Sequence, residues 1–139
     1  MRFLIDTNVL SELAKGDRCR PEVRAWYGRT DRDDLAVSVL VIGELRAGLE
    51  GLRPRDAGRA LRLERWLLLM IGVFADRIVG LDRRIAEQWG WLTARVRPPA
   101  VDGLIAATAL VHQMVVVTRN VRDFERTGVE VLNPFEPLP

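Results

Sequence analysis

Phe3-Leu4-Ile5-Asp6-Thr7-Asn8 decides the reading of this chain. Three apolar residues without polar alternation predict a strand buried on both faces, as in a parallel sheet. The run stops at an acid. In open parallel sheets ligands bind beyond the carboxyl ends of the strands, so Asp6 sits in the functional zone of such a fold. Asp6 is equally suited to cap the next helix, and the residue alone does not choose between the two roles.

Outward from this point, strand and helix signals alternate. Residues 8–15 read as a short helix stopped by Gly16, and residues 21–29 as a second with Pro21 in its first turn. Leu35-Ala36-Val37 is a second apolar run, after which Ser38 caps a helix running towards Gly51. Pro54 interrupts the chain, and a helix over about 56–74 carries Leu63, Trp66, Leu67, Met70 and Phe74 as its apolar stripe. These two helices are expected to form a helical hairpin. Residues 77–81 predict a third strand, followed by a helix capped by Asp82 with Ile85, Trp89, Leu92 and Val96 on one face. Pro98-Pro99 ends that helix, and Asp102 lies at the start of the next. Residues 114–117 and 129–132 are the last strand candidates. The order predicts an α/β fold of three layers, a mostly parallel sheet of four or five strands flanked by helices, within one domain over 1–139.

Composition narrows the chemistry. With 139 residues, 48% of them hydrophobic, the chain is long enough for one core. The formal charge of +2 is too small for a chromatin-type field. Lys15 is the only lysine among 21 basic residues. The arginines suit phosphate, although a GC-rich genome produces the same bias. A single cysteine, Cys19, excludes an internal disulfide and a cysteine-based zinc site. No signal-peptide core precedes Asp6 and no apolar run is long enough to span a bilayer, so a cytoplasmic protein is expected, with no membrane partner.

Two further acids stand out. Glu44 lies along or beside the stripe of Val41, Leu45 and Leu49, where an ionised carboxylate needs a partner: a metal ion, or an arginine such as Arg46. Asp102 is the one acid of the helix Ala100-Val101-Asp102-Gly103-Leu104-Ile105-Ala106-Ala107-Thr108; it either serves the helix dipole or points at a cation. Gathered at one sheet edge, Asp6, Glu44 and Asp102 would repel, and a hard divalent ion such as Mg²⁺ or Mn²⁺ removes the conflict. The only histidine, His112, reads as a surface or helix-end residue.

The chain resembles the PIN domains. Phe-Leu-Ile-Asp6-Thr7-Asn8-Val-Leu-Ser-Glu matches their opening block; Ser38-Val-Leu-Val-Ile-Gly43-Glu44-Leu45-Arg46-Ala-Gly48 looks like the second, Asp102-Gly-Leu-Ile-Ala-Ala-Thr-Ala the third, and Val116-Val-Thr118-Arg119-Asn120-Val-Arg-Asp123-Phe124-Glu the fourth. The four blocks occur in order over nearly the whole chain. The resemblance implies a PIN fold and hydrolysis of RNA phosphodiesters with Mg²⁺ or Mn²⁺, with Asp6, Glu44 and Asp102 at the acidic metal site. Within the family the likeness is to VapC-type toxins, including the FitB-like branch. That implies a cognate VapB-like antitoxin, a homodimer, and contact with operator DNA only through the antitoxin.

A fourth acid of many PIN domains falls at Asn120, which carries no charge and makes one ion a safer expectation than two. Asp123 is expected to cap the following turn in preference to replacing that acid. Thr7 and Thr118 are accessory candidates, as is Asn8, which either orients Asp6 or caps the first helix. Arg46 and Arg119 are the candidate RNA phosphate contacts. Two rivals remain: an RNA- or protein-binding module with a weak site, which Asn120 favours, and aspartyl-phosphate chemistry at Asp6, which Asn8 disfavours because a second acid is missing there. No phosphate-binding or dinucleotide glycine motif is present.

Overall fold

The computed structural model describes residues 1–137. β1 (Phe3–Ile5) and β2 (Leu35–Ser38) are buried along their whole length, which demands cover on both faces. Among the described residues, five parallel strands form one sheet in the order β3-β2-β1-β4-β5, with β3 at Ile78–Val79, β4 at Val115–Val117 and β5 at Val131–Leu132. From β1 the chain adds strands in one direction through β2 to β3. It then crosses back to place β4 on the other side of β1. The order reverses between β1 and β4, so a crevice is expected outside their carboxyl ends.

Seven α-helices among the described residues connect the strands: α1 (Thr7–Leu13), α2 (Pro21–Arg29), α3 (Val39–Leu52), α4 (Ala57–Phe74), α5 (Arg83–Val96), α6 (Ala100–His112) and α7 (Val121–Phe124). Their starts follow local chemistry. Ser38 accepts from the Leu40 amide, Asp56 from Arg59 and Asp82 from Ile85, each satisfying an orphan donor of a first turn. Pro21 supplies the first-turn geometry of α2. The helices meet the sheet through Val9, Val23, Val41, Phe74, Ile85 and Ile105, all buried. Cys19 is a free buried thiol, and His112 ends α6 exposed to solvent. No helix among the described residues is long and apolar enough to cross a membrane.

The predicted elements recur with shifted ends. The strand expected over 77–81 is only Ile78–Val79, because Arg77 belongs to a 3-10 turn and its guanidinium binds the carbonyls of Val73, Leu35 and Arg32. The strand expected over 129–132 likewise shrinks to two residues at the opposite edge. Met114 leaves β4 because its amide closes the end of α6, after Gln113 in the left-handed region. Helix α1 ends at Leu13, and Gly16, at φ +61, opens a separate 3-10 turn.

Candidate active site

Asp6 leaves β1 at the order reversal, buried to 3% exposure. It also caps α1: its Oδ1 accepts from the Thr7 amide at 2.8 Å. The other oxygen, Oδ2, accepts from Thr118 Oγ1 at 2.8 Å and from Asn8 Nδ2 at 3.2 Å. Thr118 follows β4, so this pair spans the two strands between which the order reverses. The Asn120 amide donates to Thr118 Oγ1, and Asn8 Oδ1 accepts from the Arg119 amide. Asn8 therefore orients Asp6 and does not cap the helix. Burial pushes the Asp6 carboxyl above its ordinary value; the Thr118, Thr7 and Asn8 hydrogen bonds draw it back, and the charge of Asp123 adds to the rise.

Asp102, half-buried in the first turn of α6, is the most perturbed of these groups. Its carboxyl is pushed up to about 6, first by burial, then by the charges of Asp6, Asp123 and Glu44, and by a hydrogen bond to Asp123. That position depends on close packing. A Cβ on the neighbouring Gly103 would stand 2.9 Å from Pro98 Cγ and 3.3 Å from Trp89 Cδ1. The absent side chain lets the first turn of α6 close on α5 and the proline linker.

Glu44 departs from the expected setting. It is exposed, at the margin of the stripe formed by buried Val41 and Leu49, so no burial cost arises. Arg46 is not its partner. Thr7 Oγ1 donates to Glu44 Oε1 at 2.5 Å. Arg46 is bound to Glu64 and, at 3.2 Å, to Glu50, in a network that Arg53 completes across the α3–α4 hairpin. As a phosphate contact Arg46 is displaced by this pairing. Arg119 is exposed instead, its guanidinium 4.8 Å from the centre of the Phe135 ring.

Asp123 is the residue misjudged from sequence. Asn120 occupies the N-cap position of α7, so Asp123 caps nothing; it faces Asp102 and adds to the charge on Asp6. No local signal gave this away, because an acid three residues after an N-cap position is also where a capping box would place one.

Four carboxyl groups thus influence one another, and among the described residues none of the four has an ion-pair partner. Glu12, a buried acid on the same helix as Asp6's hydrogen-bond partners, shows the contrast. Lys15 at 3.0 Å and the Arg20 amide hold its carboxyl below the usual range. Among the described residues no three acids, imidazoles or thiols converge on a single ion position. The convergence of Asp6, Glu44 and Asp102 expected from sequence is therefore not a closed three-ligand site among the described residues. The donor set, all carboxylate oxygens, still suits a hard ion that keeps much of its water shell and takes few protein ligands.

A family model described as PIN domain matches residues 3–130. The chain is 32% identical to the VapC ribonuclease Y4jK of Sinorhizobium fredii, over 97% of this chain and 99% of that protein. It is 31% identical to the toxin FitB of Neisseria gonorrhoeae, over 96% and 98%. A solved structure of FitAB bound to an IR36 DNA fragment superimposes with a TM-score of 0.87, 29% identity, and coverage of 99% of this chain and 98% of that one.

Proposed function

Because this chain belongs to the PIN-domain family, we propose that it is a toxin-type endoribonuclease that hydrolyses RNA phosphodiester bonds with the help of Mg²⁺ or Mn²⁺. One observation carries the reading: the charges of Asp6, Glu44 and Asp123 all bear on Asp102, and among the described residues none of the four acids has an ion-pair partner. A divalent ion resolves that repulsion.

Asp6 and Asp102 would hold the ion, with Glu44 and Asp123 completing its surroundings directly or through water. The ion when bound neutralises charge on the phosphoryl oxygens and acidifies water. The protein's own groups do the rest. Thr118, Asn8 and the Thr7 amide fix both oxygens of Asp6. Thr7 holds Glu44, which takes the proton of the attacking water. Arg119, steadied by Phe135 and by the hold of Asn8 on its backbone, meets a phosphate of the strand. Water adds to phosphorus, the bond to the 3′ oxygen breaks, and that oxygen gains a proton, leaving a 5′-phosphate and a 3′-hydroxyl. Asn120 presents no charge and contributes its backbone amide.

The likeness to the toxin FitB, to FitAB on DNA and to a toxin–antitoxin complex from Klebsiella pneumoniae supports an antitoxin partner and DNA reached through that partner; a homodimer and an operator as that DNA belong to the same proposal. A cytoplasmic site of action is part of the same proposal, and the likeness to a VapC ribonuclease supports it.

The test uses purified protein and a panel of structured RNAs. Cleavage with Mg²⁺ or Mn²⁺ is expected, with a loss of about a hundredfold or more in EDTA or in Asp6→Asn. Undiminished cleavage under either condition sinks the metal mechanism. The lack of a closed three-ligand cage among the described residues favours one second reading, a binding module. Calorimetry that shows no heat of Mg²⁺ or Mn²⁺ binding, together with no cleavage, would select it.

A further inference from the structure

A groove of about 790 Å³ lies between α1 and the α3–α4 hairpin, and Thr7 and Glu44 are part of its lining. Through Glu44 it reaches one edge of the acidic site. Its other charged lining residues are all cations: Lys15, Arg18, Arg59 and Arg62. Lys15 is tied to Glu12, but among the described residues Arg18, Arg59 and Arg62 form no ion pair. Leu45, Leu49, Leu63, Trp66 and Leu67 contribute its apolar surface.

We propose that this groove is the track of single-stranded RNA on its way to the acidic site, with Arg18, Arg59 and Arg62 as phosphate contacts and Trp66 as a surface for a ribose or base. The inference rests on the nuclease reading and extends it to the substrate's path.

Charge distribution selects RNA over a peptide. The acidic site repels a polyanion, so a strand that reaches it needs compensation along its approach. Unpaired guanidiniums beside the groove supply it, in the planar form that suits phosphate. Arg59 and Arg62 lie one helical turn apart on α4, so both can follow one backbone. An aromatic face adds base stacking without sequence preference. The most exposed leucines of α4, Leu68 and Leu69, are not part of the groove, so apolar surface for a protein partner exists elsewhere.

The experiment measures binding of fluorescein-labelled single-stranded oligouridylate by anisotropy over a salt series, in the uncleaving Asp6→Asn background. Arg59→Ala/Arg62→Ala is expected to weaken binding about tenfold or more at low salt and to flatten the log K against log salt slope by about 0.7 for each phosphate no longer neutralised. Arg59→Lys/Arg62→Lys, which keeps the charge, restores most of the slope. Arg29→Ala, exposed at the end of α2, leaves binding unchanged. Thermal melts confirm that each variant folds. Unchanged affinity and slope in the double alanine variant overturn the proposal. So does loss of antitoxin binding with RNA binding intact, which would make the groove a protein site. Failure of the nuclease reading looks different: wild-type protein that binds RNA through these arginines yet cuts none.

Discussion

Thr118 shows how one hydroxyl serves the site. Its Oγ1 donates to Asp6 and accepts from Asn8 and the Asn120 amide, all within 3.1 Å, in a buried setting. A hydrogen bond to a charged group is worth about 1.5–3 kcal/mol. Thr118→Val keeps the shape and removes the bond, so kcat/KM for RNA should fall about ten- to a hundredfold with the fold retained; an unchanged value would show that Asp6 needs no such support. Asp102 makes a prediction about pH. Its carboxyl titrates near 6 in the folded chain against 3.8 for a free one. Between those values the fold keeps a proton that the unfolded chain has released, so rising pH through this window costs stability. Asp102→Asn should therefore melt at a higher temperature than wild type at about pH 7.5 without metal, and the gap should close as the pH falls to about 4. Divalent ion should raise the wild-type Tm more at neutral pH than near pH 5. Equal melting curves of the two proteins at neutral pH would contradict the assignment.

At the scale of elements, the hairpin of α3 and α4 separates structural charge from functional charge. Arg46, Glu50, Arg53 and Glu64 form its half-exposed network, and each group is shifted in the direction that its partners favour. Exposed pairs of this kind contribute little and are screened by salt. Arg46→Ala should leave RNA cleavage at wild-type rates and lower the Tm slightly, the loss vanishing in high salt. Arg119→Ala should instead raise KM for RNA and reduce the salt dependence of binding. If the two variants exchange these behaviours, Arg46 and not Arg119 is the phosphate contact beside the acids. The short helix α7 belongs to this scale too: it starts after Asn120, whose side chain makes no capping bond, and it brings the charge of Asp123 to bear on Asp102.

Across the whole molecule, the order reversal between β1 and β4 brings Asp6 and Thr118, 112 residues apart, into one hydrogen bond. Helix α6 brings Asp102 to the same place through small residues, with Gly103, Ala106, Ala107 and Ala109 buried. A cavity under that helix should disturb both fold and site. Ile105, fully buried, is the probe: Ile105→Ala should cost about 2–5 kcal/mol in denaturant unfolding. A cost below about 1 kcal/mol would mean that α6 repacks freely and does not hold Asp102 in place. A hollow between α5 and α6 at Trp91 and Arg84 contains none of the four site acids.

The apolar runs at 3–5, 35–37 and 115–117, and the caps at Ser38 and Asp82, were legible in the chain because they are local: strand burial and first-turn capping depend on neighbours a few residues away. The block-by-block likeness to PIN domains was legible for the same reason. The edge strands were overestimated, since their length depends on pairing that no local pattern encodes. The setting of Glu44, the diversion of Arg46 to Glu64, the role of Asn8 and the turn of Asp123 towards Asp102 were decided by tertiary structure alone. Each depends on which side chain from a distant segment arrives within hydrogen-bonding or Coulomb range, and only the packed sheet and its crossover determine that.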